Sequence, residues 1–171
     1  MAVVDWPVDR LQRLLAFEFS AHRERPPWLA ALIAHRPDLV ADSLLRFTLA
    51  VLADEPLSMP LLAHELARDD TCADLARRCV PKLIDAYPTR VRPTQASWFA
   101  GTLLNAALKY MPADDLTAIA NERRKRSAID STQWMAWTLL AARRAPGLRL
   151  HELGLCVRHS RPRMLRLFKL L

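Results

Sequence analysis

Three glycines in 171 residues, against twelve prolines, restrict this chain more than any other feature. Sandwiches, barrels and doubly wound sheets turn through positive-φ positions and draw on glycine to do so. Helical hairpins can be joined by proline and polar residues, and proline is at home in the first turn of a helix. Ala, Leu and Arg dominate the remainder, and all three are strong helix formers. The chain is therefore expected to be all-α. Half of its residues are apolar and a quarter charged, which is globular rather than disordered composition. The length suits one domain with a sizeable core.

Apolar periodicity and proline place the elements. A first helix is predicted from about Asp5 to Ser20, with Asp5 near its cap, and a second from Trp28 to His35. A third carries Leu39, Val40, Leu44, Phe47, Val51 and Leu52, with Asp42 and Arg46 as an outer i, i+4 pair. A short helix over Leu61–Arg68 follows, and Thr71-x-x-Asp74 reads as a capping box for the next. Pro81 inside that helix predicts a kink or a break. A charge-poor helix is expected from Thr94 to about Met111, and another from Pro112 to Arg126. Ser127 or Asp130 is expected to cap an uncharged helix over 131–142, which Pro146-Gly147 closes. Elements around Leu148–Val157 and from Pro162 to Leu171 complete the chain.

Three charge-poor segments begin with tryptophan: Trp28-Leu-Ala-Ala-Leu-Ile, Trp98-Phe-Ala-Gly-Thr-Leu-Leu and Trp134-Met-Ala-Trp-Thr-Leu-Leu. Their spacing fits a period of roughly 35 residues with a degenerate copy near Ala63-His64, within the range of two-helix repeats. A helix apolar on all sides must be covered on several, as the inner helix of a solenoid repeat is. On these segments, residues 22–157 resemble HEAT/armadillo-like α-solenoids. The resemblance implies a right-handed stack of antiparallel helical hairpins, about 8–10 helices in all. An irregular helical bundle is the alternative. The run Cys79-Val-Pro-Lys-Leu-Ile-Asp-Ala-Tyr-Pro-Thr-Arg also resembles helical repeats that accompany NTPase modules in large bacterial sensor proteins. No Walker motif is present, so that resemblance brings no catalytic residue with it. The tetratricopeptide pattern fits poorly, because its Gly and Tyr positions after the tryptophan are unmatched.

No catalytic, cofactor or metal constellation emerges. His64-Glu65 and His151-Glu152 begin like a zincin helix, but Arg68 and Leu155 stand where the second histidine belongs. Cys72 and Cys79 share a helical face too far apart for a close ligand pair and read as packed thiols. Asp69-Asp70 and Asp114-Asp115 sit where helices begin, as caps and dipole partners do. Trp28, Trp98, Trp134 and Trp137 read as core, and Gly101 as a point of close helix approach. The odd cysteine count without CxxC, and a start (Met1–Arg13) carrying Asp5, Asp9, Arg10 and Arg13, predict a reduced, cytoplasmic protein without a signal peptide. No apolar run approaches the ~18 residues of a transmembrane helix.

The +7 charge is uneven. Residues 1–142 hold 17 basic and 17 acidic side chains. Residues 143–171 hold Arg143, Arg144, Arg149, Arg158, Arg161, Arg163, Arg166 and Lys169 against Glu152 alone. The expected organisation is one helical-repeat domain over 1–157 followed by a basic amphipathic helix over 158–171, with Met164, Leu165, Phe168 and Leu171 on one side. That helix has three readings: docked with its arginines in water, bound to an acidic partner or nucleic-acid phosphates, or seated at a membrane interface. The leading expectation is a non-enzymatic protein-interaction or regulatory scaffold module with a protein partner. Nucleic-acid binding through the basic segment is the alternative, disfavoured by the neutral charge of residues 1–142.

Overall fold

Proline sets most of the helix starts. In the computed structural model, which describes residues 3–21, 24–53, 59–88, 98–128, 131–142 and 146–168, Pro7 precedes α1 (Val8–Ser20) and Pro26 precedes α2 (Pro27–His35). Pro37 opens α3 (Pro37–Ala53) and Pro60 precedes α4 (Leu61–Glu65). Pro112 precedes α7 and Pro146 opens α9, both placed below. Proline suits these positions because its fixed φ is already helical and its missing N–H has no intrahelical acceptor there. The chain is all-α: no strand occurs among the described residues.

The chain divides into two compact units, 1–88 with 102–110, and 89–101 with 111–171. The division falls inside the stretch read from sequence as one repeat domain. In the first unit, α3 packs against α1, α2, α4 and α5 (Ala73–Ala86), and α5 packs against α6 (Leu104–Tyr110). Its core includes Leu11, Leu15, Leu32, Leu44, Leu75 and Leu83, all fully buried. In the second unit, α8 (Thr132–Ala141) packs against α7 (Ala113–Arg126), α9 (Pro146–Val157) and α10 (Arg161–Phe168). Residues Gln133 to Thr138 of α8 are buried without interruption. This helix meets the condition set by its uncharged sequence, that every side be covered.

Several local expectations change. Asp5 lies in a 3-10 turn, Val3–Asp5, and does not cap α1. The Asp42 carboxylate faces Lys82 at 3.9 Å, while Arg46 reaches the Asp42 backbone carbonyl instead. Asp69 replaces Thr71 as the cap, its carboxylate accepting the Thr71 N–H at 2.9 Å ahead of a 3-10 turn at Asp70–Cys72. Helix α5 runs through Pro81 unbroken; the carbonyl deprived of a donor belongs to Arg77, an exposed residue, where the loss is least costly. Ser131, neither Ser127 nor Asp130, caps α8 by accepting the Trp134 N–H at 3.0 Å; Asp130 lies outside the described residues. Pro146-Gly147 opens α9 instead of closing α8. A Cβ on Gly101 would meet nothing within 4 Å, so close helix approach is not its role; it lies in a π turn, Phe99–Leu103.

Trp98, Trp134 and Trp137 are buried, and Phe99 meets Trp137 edge to face at 4.9 Å. Trp28 departs from the expected core position and is only half-buried. Its helix leaves Ala30, Ala31 and Ala34 exposed. Alanine made α2 look apolar on every side, yet a methyl group is small enough to face water at little cost.

Candidate functional site

Two places gather charged side chains. In the first unit, Arg25 reaches Asp69 at 2.8 Å, Glu65 at 3.4 Å, the Cys72 thiol at 3.2 Å and the Thr71 hydroxyl at 3.3 Å. Ligand-type atoms of Glu65, Asp69 and Cys72 lie within 4.8 Å of one another. These three side chains are of the kind that hold a metal ion, and Arg25 supplies the positive charge among them. Hydrogen bonds from the Thr71 hydroxyl and N–H, with Arg25 adding to them, hold the Asp69 carboxyl below its usual range. Burial pushes Glu65 and Cys72 up, against the pull of Arg25. Burial likewise pushes the Cys79 thiol up to about 12, and Cys79 packs in the core with its thiol directed at the Ala41 carbonyl. An open groove of ≈280 Å³ between α1 and α3, lined by Gln12, Ala16, Ser43, Arg46 and Phe47, carries no such cluster.

The second place is the surface of α9 and α10. The inner side of α9 is built from Leu153, which is buried, and Cys156, which packs with Leu139 and Leu167 around Trp134 and Met135. Glu152 accepts from Arg124 of α7 at 2.8 Å and from Arg149 at 3.1 and 3.2 Å. Arg149 also donates to Asn121 at 3.3 Å. Both arginine side chains are less than one-fifth exposed, and the Nε of each is buried without a partner. One carboxylate thus serves two half-buried guanidinium groups, so the seam between α7 and α9 stays positive.

The outer side of α9 carries Leu150, Gly154 and Leu155, with Leu150 53% and Leu155 58% exposed, and exposed Arg158 follows in the turn just past its end. Helix α10 turns Leu167 inward and Arg163 toward the Cys156 carbonyl at 3.3 Å. Met164 and Leu165 remain exposed, at 41% and 51%. The sequence grouped Met164 and Leu165 on one apolar side and left open whether that side docks; the structure leaves both exposed and packs Leu167. Leu167 and Arg163 are four residues apart, and the Arg163 hydrogen bond fixes which side of α10 faces α9.

The basic residues singled out in the sequence therefore separate. Arg149 is half-buried in the α7–α9 seam; Arg163 is bound to α9; Arg158, Arg161 and Arg166 are exposed. Arg143, Arg144 and Lys169 lie outside the described residues. The exposed leucines beside the arginines were missed, because an apolar residue on a helical wheel reads as core until the packed side is known.

No family model, curated protein or solved structure matches this chain. No helix among the described residues is long and apolar enough to cross a membrane.

Proposed function

We propose that the chain is a non-enzymatic interaction module, a HEAT-like helical-repeat scaffold whose working surface is the outer side of α9 and α10. The observation that carries this reading is the exposure of Leu150, Leu155, Met164 and Leu165 beside Arg158, Arg161 and Arg166 on two consecutive helices. Apolar side chains grouped with arginine are the composition of a protein interface, where arginine is enriched and leucine gains by burial. The hairpin-stack reading draws support from the way each unit is ordered: α3 lies against both α1 and α5, and α8 against both α7 and α9. The test is a photo-crosslinking residue placed at Leu155 in the native host, compared with one at the equally exposed Phe17. A discrete adduct specific to Leu155 supports the module; the same pattern at both positions, or none at Leu155, overturns it.

Nucleic-acid binding is the second reading, favoured by one observation. The second unit contains 14 Lys and Arg against 5 acids, Asp114, Asp115, Glu122, Asp130 and Glu152. The Arg123–Arg126 cluster and the basic last segment thus belong to the same unit. Duplex binding that weakens steeply with salt would carry that reading.

A further inference from the structure

We infer that the outer faces of α9 and α10 receive an acidic amphipathic helix of a partner protein, which covers Leu150, Leu155 and Leu165 and pairs its carboxylates with Arg158 and Arg161. The inference rests on the interaction-module reading and gives the partner its chemistry.

The sign of the partner's charge follows from the ion pairs. Glu152 is the single acid in residues 143–171, and Arg124 and Arg149 both occupy it. Arg158 and Arg161, both exposed, have no ion-pair partner among the described residues. Arg161 is also the first residue of α10, where the helix dipole is already positive and an acid would be favoured. A cation at that position opposes the stability of its own helix, and an incoming anion relieves it. Both of these cations are arginines, whose planar fork matches a carboxylate with two parallel hydrogen bonds.

The apolar component decides the class of partner. Phosphates along a nucleic acid would pair with the arginines but leave Leu150, Leu155 and Leu165 uncovered. Base stacking draws on exposed aromatic rings, and among the described side chains of this unit Trp98, Phe99, Trp134 and Trp137 are all buried. A membrane interface would cover the leucines, but α9 and α10 have only 12 and 8 residues and their inner sides are already packed. Interfacial segments are typically longer and carry Trp or Tyr at the headgroup level. An amphipathic helix with leucines along one stripe and glutamates beside it satisfies both components.

The test uses the full chain and a labelled synthetic helix of about 20 residues, with Leu at i, i+3, i+4 and i+7 and Glu at the flanking positions. Fluorescence anisotropy should give saturable binding in the micromolar range. Leu155→Ser and the pair Arg158→Ala and Arg161→Ala should each weaken it about tenfold, with the circular dichroism spectrum unchanged. Replacing Glu by Gln in the peptide should weaken it comparably. Absence of saturation below about 100 μM, equal affinity for the Gln peptide, or tighter binding to duplex DNA or anionic phosphatidylglycerol vesicles overturns the inference. If the peptide fails while the Leu155 crosslink persists, the module reading stands and the acidic-helix assignment falls.

Discussion

At the scale of single residues, Glu152 has the largest expected effect. Removing it leaves Arg124 and Arg149 facing each other in a seam where each is less than one-fifth exposed. Glu152→Ala is expected to destabilise by about 2–3 kcal/mol, below the fully buried limit because some solvent reaches the seam. Arg124→Met, which leaves one arginine on one carboxylate, should cost under about 1 kcal/mol; equal costs in urea denaturation would refute the shared-carboxylate account. The Arg25 cluster has a pH signature. Asp69, held low, contributes stability above its unfolded value on the order of 4, and this is lost as pH falls through the lower native value. Glu65, held high, acts oppositely: its contribution is complete at low pH and declines as pH rises through its raised native value. Asp69→Asn should therefore flatten the acid limb of the stability–pH curve and cost about 1 kcal/mol at neutral pH, where its cap is also weakened. Glu65→Gln should cost less at neutral pH, and a larger loss for it than for Asp69→Asn would contradict the assigned shifts. Glu65, Asp69 and Cys72 stand at helical spacing in the sequence, but their convergence on Arg25 was not legible, because Arg25 meets partners 40 to 47 residues away. Spacing rules see only neighbours three or four residues apart.

At the scale of elements, what the sequence made plain was where proline and acid coincide. Pro112 with Asp114 and Asp115 opens α7, and Arg123–Arg126 closes it, as the helix dipole favours. Caps were harder. Ser127, Asp130 and Ser131 are all suitable cap types within five residues, and only the fold selects Ser131. Ser127 is buried and donates its hydroxyl to the Arg123 carbonyl at 2.9 Å, ending α7 instead of starting α8. Ser131→Ala should lower stability by about 1 kcal/mol, near the usual cost of a lost N-cap. Chemical denaturation read at the tryptophans of α8 checks it, and an unchanged midpoint would show that the cap contributes nothing to this helix. The docked side of helix α10 was left open by the sequence for a related reason. Its wheel offers Met164 and Leu165 on one side and Leu167 on another, and intrinsic pattern does not rank them. The docking is decided by Leu167 against the Trp134, Met135 and Leu153 cluster, a long-range contact.

At the scale of the whole molecule, the charge asymmetry visible in the sequence becomes a statement about stability and function together. The concentration of positive charge in the second unit is self-repulsive, and Arg161 at the start of α10 adds to it at the least favourable position. A surface shaped only for stability would carry an acid there. Arg161→Glu is accordingly expected to raise stability by about 0.3–1 kcal/mol at low ionic strength. The gain should shrink as salt rises, because an exposed charge is screened within about 10 Å at 0.1 M. The same substitution should weaken binding of the acidic helix by more than the neutral Arg161→Ala change does, since it replaces attraction by repulsion. Thermal unfolding at two salt concentrations and anisotropy titration of one protein preparation measure both effects. Opposite signs for stability and binding would mark Arg161 as kept for its partner at a cost to the fold. A loss of stability on Arg161→Glu would instead mean that the arginine supports its own helix, and the argument for an absent anion at that position would fail.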